Sequence, residues 1–478
     1  MFLKTLILLT LAFTAVPAVK VDYLSLKTDN GDKLPDFSFC GYHASNNPLP
    51  SSTRAAAKSL SAGSGDQSQQ IQDALDAVSK SGGGVVELKA GKYQLSKGIT
   101  IPTKTSLRGG GQGKTVILPK DGSFTAFNMG SKVSSPKPIS TVDITDKYVP
   151  VGTSKVTVKS AAGLKAGQSV WIQRAVTQKW IDANGMASFS DPEDHWMTPA
   201  DTVFQPRIIK AVSSNTVTLN IPLTDQLDSN YMSPKLVRYT PPAAPSELGL
   251  ESLSITLSPS CSGKIITDKS CKGSALAVLP WVTNSYARDL AVTGFNNAVN
   301  VAQNASRITI QNVISTRDHD TDNNAGYAAD IAISGSQVLV IDSATKGGEK
   351  AKSFPVITQG LTPGPNAVVR HYGQQVDMQI QPHAHWAHGF LVDNTTATTT
   401  LINRGDSGSG HGWAINSGVA WNIVGKYDIQ SPPLGTNWGI GCRGGERDED
   451  NNGTMVAERQ SVEPVSLFEA QLAARGKA

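Results

Sequence analysis

The histidines and tryptophans of this 478-residue chain are concentrated in one stretch of sequence. Six of the eight histidines lie between residues 319 and 411, and four of the eight tryptophans lie within or just after that range. Imidazoles transfer protons near neutral pH, and flat aromatic rings present large apolar faces that suit the CH faces of sugars. The stretch therefore predicts a carbohydrate groove, with substrate-binding residues Trp386, Trp413, His371, His383 and Arg317.

An acidic segment follows the strand-like residues 307–310. Asp318, Asp320 and Asp322 occupy alternate positions, so in an extended chain they share one face, with His319 on the other. Three neighbouring carboxylates repel one another, and a cation or a shared proton relieves that repulsion. The spacing predicts a possible calcium site at these three aspartates, although it lacks the Gly and Glu of an EF-hand loop. A solvated acidic turn is the alternative.

A second segment, residues 381–388, carries three histidines. His383 and His385 share one face of an extended chain and could chelate a metal, but the spacing fixes no third ligand. Acid–base chemistry is the better interpretation. The predicted catalytic residues of the two segments and of the sequence that follows them are His319, His385, Arg404, His411 and Asp320.

The elements that must position these residues are short. Ile71, Ala74, Leu75 and Val78 recur at helical spacing, and a run of glycines at 82–84 ends the helix. Strands of three to five residues separated by turns follow to residue 118, and similar strands return after residue 248. Residues 138–245 are typical of an inserted antiparallel β-module. The short strands predict a solenoid with coils of 20 to 30 residues.

The first part of this pattern resembles a known superfamily. Residues 66–75 (DQSQQIQDAL), 82–93 (GGGVVELKAGKY) and 107–111 (LRGGG) are similar to the cap and first coils of the pectate-lyase-like superfamily. The resemblance implies an all-β fold, a right-handed parallel β-helix with an N-terminal capping helix, here carrying the inserted module. Because that superfamily includes lyases, glycoside hydrolases and phage tailspikes, it leaves the reaction open.

Elimination on a uronic acid is the first hypothesis for function. It needs a base for the C5 proton and a positive group near the carboxylate to stabilise the enolate-like state. His385 or His319 is the predicted base, and Arg404, Arg317 or bound calcium is the predicted positive group. The sequence thus predicts a polysaccharide lyase that acts on a uronic-acid-containing polymer.

Two alternatives stay open. Residues 409–417 (SGHGWAINS) are similar to the Gly-His-Gly motif of polygalacturonase-like glycosidases, which need two carboxylates across the scissile bond. The aspartate pair expected shortly before that motif is missing, since Asp406 stands alone nearby and the 318–322 aspartates lie far upstream. The other alternative is a glycan-binding surface protein without catalytic activity.

The amino terminus predicts secretion. Lys4 precedes the apolar run 5–14, and small residues up to Ala18 complete a signal peptide of residues 1–18. In an oxidising compartment Cys261 and Cys271 are close enough in sequence to form a disulfide, whereas the pairing of Cys40 with Cys442 stays open. Three sequons make the chain a possible glycoprotein in a eukaryotic host, at Asn304, Asn394 and Asn452.

Composition limits the partners. A formal net charge of +4 without a run of basic residues argues against nucleic acid, and the leader is too short to span a membrane. We expect a polysaccharide partner and a monomer. The predicted organisation is a signal peptide at 1–18, an irregular segment at 19–65, the cap and first coils at 66–137, the inserted module at 138–245, the main body with the active groove at 246–445, and a C-terminal loop and capping helix at 446–478.

Overall fold

The structure is a computed structural model that describes residues 17–264, 267–318, 320–321, 328–348, 350–374, 378–445 and 452–477. The N-terminal segment and first coils contain β1 Val19–Lys20, β2 Lys58–Leu60, α1 Ser68–Lys80, β3 Gly84–Leu88, β4 Gly91–Leu95, β5 Ile99–Ile101, β6 Thr105–Gly109, β7 Thr115–Pro119 and β8 Phe127–Met129. The inserted module contains β9 Pro138–Asp143, β10 Tyr148–Val149, β11 Lys155–Thr157, β12 Ser169–Ala175, α2 Gln178–Ala183, β13 Thr202–Ser213, β14 Thr216–Leu219, β15 Leu227–Asp228 and β16 Lys235–Tyr239.

The remaining elements build the main body and its C-terminal end. They are β17 Gly249–Thr256, β18 Ser274–Val278, β19 Thr283–Thr293, β20 Asn297–Val301, β21 Ser306–Arg317, β22 Ala329–Ile333, β23 Ser336–Ile341, β24 Ala344–Gly347, β25 Phe354–Thr358, β26 Asn366–Val369, β27 Tyr372–Gly373, β28 Gln379–Ile380, β29 Ala387–His388, β30 Phe390–Asp393, β31 Thr398–Leu401, β32 Ile415–Asn416, β33 Val419–Trp421, β34 Tyr427–Ile429, β35 Trp438–Ile440, β36 Thr454–Val456, β37 Val462–Glu463 and α3 Leu467–Ala474.

Successive coils stack in parallel and form three faces. The first face runs from β2 and β3 through β17, β19 and β21 to β36, and the second contains β4, β7, β24 and β27. The third face contains β5, β8, β18, β20, β22 and β25, followed by β28, β31 and β34. Alternate side chains of each strand point into one continuous apolar core. The predicted right-handed parallel β-helix is confirmed.

The corner between the first two faces is a column of left-handed residues. Asp289 and Asn312 both have φ near +50°, and the amide of Asn312 donates to the carboxylate of Asp289 at 2.7 Å. Asx residues adopt this conformation more readily than other non-glycine residues. The strand register places the remaining left-handed corner residues in the same column: Ser252, Asp342, Arg370, Asn394 and Asn422.

The inserted module leaves the helix between β8 and β17, at the corner between the third and first faces. Its main sheet is antiparallel, with the order β11-β14-β13-β12-β16-β9. Alternate side chains such as Val170, Ile172 and Leu236 pack into a separate apolar core. The antiparallel insertion in the predicted fold is therefore present. It packs beside the loops that connect strands of the third face to strands of the first face.

The first face is covered on its outer side. Phe37 from the N-terminal segment and Leu467 and Phe468 from α3 pack on outward-pointing residues of β23 to β35. The helix α3 begins as the capping-box pattern predicts, because the hydroxyl of Ser466 accepts from the backbone NH of Glu469 at 3.2 Å. Both sides of these strands are thus apolar where the two segments cover them.

The four cysteines form one disulfide and two free thiols. Cys261 and Cys271 form a disulfide, as predicted. Cys40 and Cys442 are buried and free, so they do not join the two ends of the chain. No helix in the described part of the chain is long and apolar enough to cross a membrane.

Candidate active site

Two corner loops carry most of the predicted site residues. The first corner loop (381–389) follows β28, and the second corner loop (402–418) follows β31. The second loop stacks on the first as a further coil, because the backbone NH groups of His385 and Trp386 donate to the carbonyls of His411 and Trp413 at 3.2 and 2.9 Å. Residues at equivalent positions of the two loops therefore become neighbours.

This stacking brings three imidazoles and one guanidinium together. The ring centroids of His383 and His411 are 4.6 Å apart, and those of His385 and His411 are 6.2 Å apart. Arg404 donates from Nη1 to the backbone carbonyl of His383 at 2.7 Å. The predicted residues His383, His385, Arg404 and His411 thus form one group, which we call the histidine cluster.

The surroundings keep the three imidazoles of the cluster uncharged at neutral pH. Burial and the nearby Arg404 guanidinium lower the pKa of His383 and of His411 to about 4. Burial also lowers the pKa of His385. Each ring is consequently a neutral imidazole at pH 7, able to accept a proton but not to attract an anion.

The hydrogen bonds distinguish the three rings. Nδ1 of His383 lies 3.0 Å from Oε1 of Gln359, so Nδ1 carries the proton and Nε2 is left with its lone pair. His385 is held differently, since its Nε2 is buried without a partner and its ring is bonded to the backbone of Gly410. The hydrogen bonds of His383 therefore differ from those of the predicted base His385, whose catalytic role stays a prediction.

A trough on the third face runs up to this cluster. Its cavity volume is about 610 Å³, and its walls come from β25, β28, β31 and the second corner loop. None of the described residues that line it is an aspartate or a glutamate. We call it the cationic trough, after the charged members of its lining, Lys352, Arg404 and Lys426, which stand among Gln379, Gln381 and Thr398.

Arg404 joins the cationic trough to the histidine cluster. It lines the trough, bonds the carbonyl of His383, and lies over the ring of Phe354 at 5.8 Å from the centroid. A guanidinium fixed in this way presents a planar fork of donors, which suits a carboxylate. The arrangement places a guanidinium in the wall of the trough and bonded to the backbone of His383.

The tryptophan predictions are wrong. Trp386 is 0% exposed and Trp413 is 7% exposed, and both pack against Trp180 and Trp196 of the inserted module. Their indole NH groups donate to Asp225 Oδ1 at 2.8 Å and to the backbone carbonyl of Asn184 at 3.0 Å. The docked module covers these rings, so neither can stack on a sugar. The other two tryptophans of the cluster, Trp421 and Trp438, are buried beneath the C-terminal segment.

His371 and Arg317 also prove to be structural residues. His371 is buried, and burial lowers its pKa to about 4. Arg317 is buried and donates to Asp330 at 3.0 Å and to the carbonyls of Phe295 and Asn296. The predictions that His371 and Arg317 bind substrate, and that Arg317 neutralises a uronate, are therefore corrected.

The acidic segment is only partly described. His319 and Asp322 lie outside the described residues. Asp318 is exposed and accepts from the hydroxyl of Ser260 at 2.9 Å, and Asp320 is exposed. Within the described ranges no three Asp, Glu, His or Cys side chains are grouped to hold a metal; because Asp322 falls outside them, calcium at the three aspartates stays a prediction.

Sequence reasoning missed several residues that the fold brings to the site. Gln381, directly after β28, donates from Nε2 to the hydroxyl of Thr400 on β31 at 2.5 Å. Lys426 reaches the same trough from the start of β34. The available signal was the alternation of polar residues along these short strands, but it is visible only when the register between coils is known.

A second imidazole group lies on the first face. His43 Nε2 is 2.8 Å from Glu247 Oε1, and the hydroxyl of Tyr42 donates to the same carboxylate. His43, Ala44 and Ser45 are all left-handed, with φ of 48°, 55° and 54°. Backbone strain of this kind clusters at functional sites. Here the hydrogen bonds of Tyr42 and His43 to Glu247 also join the N-terminal segment to the body of the helix.

Comparison with known proteins gives no family. No family model and no curated protein match the sequence. Among solved structures, the chain is similar to the Gp54 tailspike of Acinetobacter baumannii bacteriophage AP22 in complex with capsular saccharide, with 12% identity and a TM-score of 0.42 over 83% of this chain and 64% of that one. It is also similar to the tailspike protein gp49 from Pseudomonas phage LKA1, with 14% identity and a TM-score of 0.34 over 80% of this chain and 65% of that one.

A mutant tailspike of E. coli bacteriophage HK620 in complex with a pentasaccharide gives 9% identity and a TM-score of 0.40, over 83% of this chain and 57% of that one. The chain thus spans less than two thirds of the length of these tailspikes. Likenesses of this strength carry no argument about function, which has to come from the site itself.

Proposed function

We propose that this protein is a secreted polysaccharide lyase that cleaves a uronic-acid-containing polymer in the cationic trough. The observation that carries the proposal is the position of Arg404, which lines the trough and bonds the carbonyl of His383. A guanidinium and an uncharged imidazole side by side are the two groups that elimination on a uronate requires.

In the proposed mechanism the polymer lies along the third face. Lys352 and Lys426 attract its carboxylates, and Gln379, Gln381 and Thr398 bind its hydroxyls. Arg404 pairs with the carboxylate of the sugar at the cleavage point. That pairing stabilises the negative charge that develops on the carboxylate when the C5 proton leaves.

His383 is the proposed base. Its Nε2 takes the C5 proton, the electron pair of that bond forms the C4–C5 double bond, and the C4–O bond to the neighbouring sugar breaks. The departing oxygen receives a proton from solvent, and the imidazolium returns its own proton to water. His411 packs edge-on against His383 and fixes its ring.

The test is a panel of pectate, alginate and glucuronan, with two readouts on each polymer. Elimination creates an unsaturated uronate, which absorbs in the ultraviolet, together with new reducing ends. New reducing ends without that absorbance would contradict the lyase and favour a hydrolase. Binding without either product would favour a glycan-binding protein.

Three further proposals go with this function. Export of the chain with removal of residues 1–18 is checked by sequencing the amino terminus of the secreted protein. A calcium requirement at the 318–322 segment is checked by loss of activity on chelation and its return with calcium. A monomer is checked by light scattering.

A further inference from the structure

Four aromatic rings form a row from the inserted module to the neighbouring coil. The ring centroids of Phe204 and Trp171 are 6.1 Å apart, Trp171 and Tyr239 are stacked at 3.8 Å, and Tyr239 and Trp281 are 6.2 Å apart. We call these four residues the aromatic row. The row is separate from the buried tryptophans that attach the module to the corner loops.

The row lies on the outer face of the inserted sheet because β12 and β13 alternate. Val170 and Ile172 point into the core of the module, so Trp171 between them points the other way. Phe204 on β13 is 36% exposed and Trp171 is half-buried. Large aromatic side chains left at a surface mark binding sites more often than isolated aliphatic ones do.

A cavity with several polar side chains in its wall lies at the end of the row. It has a volume of about 130 Å³ and is lined by Tyr239 and Trp281 together with Asn220, Asn304, Arg307 and Gln337. Arg307 donates from Nε and Nη2 to the hydroxyl of Thr283 at 3.0 and 2.8 Å, which fixes its guanidinium at the wall. None of the described residues that line the cavity is acidic, so its charge favours an anionic ligand.

We propose that the aromatic row and its cavity form a second binding site for an acidic polysaccharide chain, apart from the cationic trough. Sugar rings would pack their CH faces on Phe204 and on the part of the Trp171 ring that stays open between Phe204 and Tyr239. The amides of Asn220, Asn304 and Gln337 would pair with hydroxyls. Arg307 would bind a carboxylate. The choice of an acidic polymer rests on the proposed function, but the site makes no use of the histidine cluster.

The role that follows is retention of a long polymer. A chain held on the inserted module stays close to the trough between cleavage events, and two linked sites raise the apparent affinity for any substrate long enough to reach both. A short oligosaccharide gains nothing from the second site. The difference between polymer and oligosaccharide is therefore the signature of the site.

The experiment compares three variants of the full chain with the wild type. The first carries Trp171→Ala and Phe204→Ala, the second carries Tyr372→Ala, which removes an exposed aromatic ring from β27, and the third carries Arg404→Ala in the trough. The protein is first treated with an endoglycosidase so that a glycan on Asn304 cannot fill the cavity. Affinity electrophoresis in pectate, alginate or glucuronan measures polymer binding, and turnover of a short oligouronate measures the trough.

We expect the Trp171/Phe204 variant to lose about tenfold or more in polymer affinity, as for aromatic hot spots, with unchanged oligouronate turnover. The Tyr372 variant should match the wild type in both. Unchanged polymer affinity in the folded Trp171/Phe204 variant would overturn the second site and leave the lyase untouched. The wild type could also bind a polymer and cleave none of the three. If the Trp171/Phe204 variant then loses that binding, the result supports the second site and refutes the lyase. A wild-type dimer that this variant converts to monomer would overturn the proposal, since a second copy would then be the occupant.

Discussion

The two corner loops place two of their histidines on a different side from their tryptophans. His383 and His411 lie half-buried near Arg404, which lines the cationic trough, whereas Trp386 and Trp413, only two or three residues further along the same loops, are covered by the inserted module. The four residues are close in sequence, but the backbone turns between each histidine and the following tryptophan, so their side chains point to different sides. The comparison shows that clustering of residue types along a chain identifies the loops that matter but not the side of each loop that stays open.

The covered side is also a polar junction. Asp225 of the inserted module accepts from Arg174 at 2.6 Å, from Trp386 at 2.8 Å and from Asn416 at 2.9 Å. His388 lies 2.8 Å from the hydroxyl of Thr224. A buried carboxylate with this many donors is satisfied by its surroundings, and its role is to fix the module on the corner loops.

The largest expected effect is a loss of stability when a tryptophan on the covered side is removed. Trp386→Ala removes a fully buried indole and the donor to Asp225, so we expect a loss of roughly 3–5 kcal/mol in the free energy of unfolding, as for large-to-small core substitutions. Chemical denaturation measures it. As the matched control, Trp171→Ala on the outer sheet should cost clearly less. Equal losses for the two variants would contradict the distinction between the covered Trp386 and the half-buried Trp171.

Next in size is the loss of the proposed base. His383→Gln should lower turnover on the cleaved polymer by about 10²- to 10⁴-fold, the range for general acid–base groups, with little change in the denaturation midpoint. The control is His43→Gln, which removes a half-buried imidazole outside the histidine cluster, the one bonded to Glu247. Loss of turnover in the His43 variant with a normal rate in the His383 variant would move the site to the first face.

Acidification should affect turnover and stability in different pH ranges. The base works only when neutral, and because the pKa of His383 is about 4, turnover should hold on acidification and fall as the pH passes below about 4. The buried imidazoles of His371 and His388 also have a pKa near 4. Their folded-state pKa is below the unfolded value of about 6.5, so their contribution to stability is complete above pH 6.5 and is lost as the pH falls towards 4.

The measurement is a pair of pH series, one of initial rates and one of unfolding free energies. A rate that already falls with a midpoint near pH 6.5 would contradict the proposed surroundings of His383. In the stability series, His371→Leu should flatten part of the slope between pH 6.5 and 4. An unchanged slope in that variant would show that protonation of His371 does not cause the loss of stability in acid.

The smallest effect belongs to the edge of the trough. Lys426→Gln should raise KM for the polymer a few-fold with kcat nearly unchanged, because a partly exposed charge attracts the substrate without touching the reacting atoms. Added salt should shrink the difference. The exposed Lys58, on β2, provides the control substitution Lys58→Gln, and an equal effect there would show that only the overall charge matters.

Much of the fold was predictable because its signals are local. The α1 pattern, the capping box at Ser466 and the ten-residue spacing of Cys261 and Cys271 each depend on residues close in sequence. The site was predictable only in part. His383, Arg404 and His411 do come together, yet the burial of Trp386 depends on where the inserted module docks, and the role of Lys426 depends on the register between coils. No local sequence pattern predicts the docking of the module or the register between coils.

The most direct test of the trough is a crystal structure of the His383→Gln variant with an acidic oligosaccharide that the wild type cleaves. We expect the sugar along the third face, with one carboxylate paired to Arg404 and another near Lys426, and with C5 of the central sugar facing the position of the His383 ring. An empty cationic trough with the oligosaccharide bound on the first face beside His43 would contradict the account.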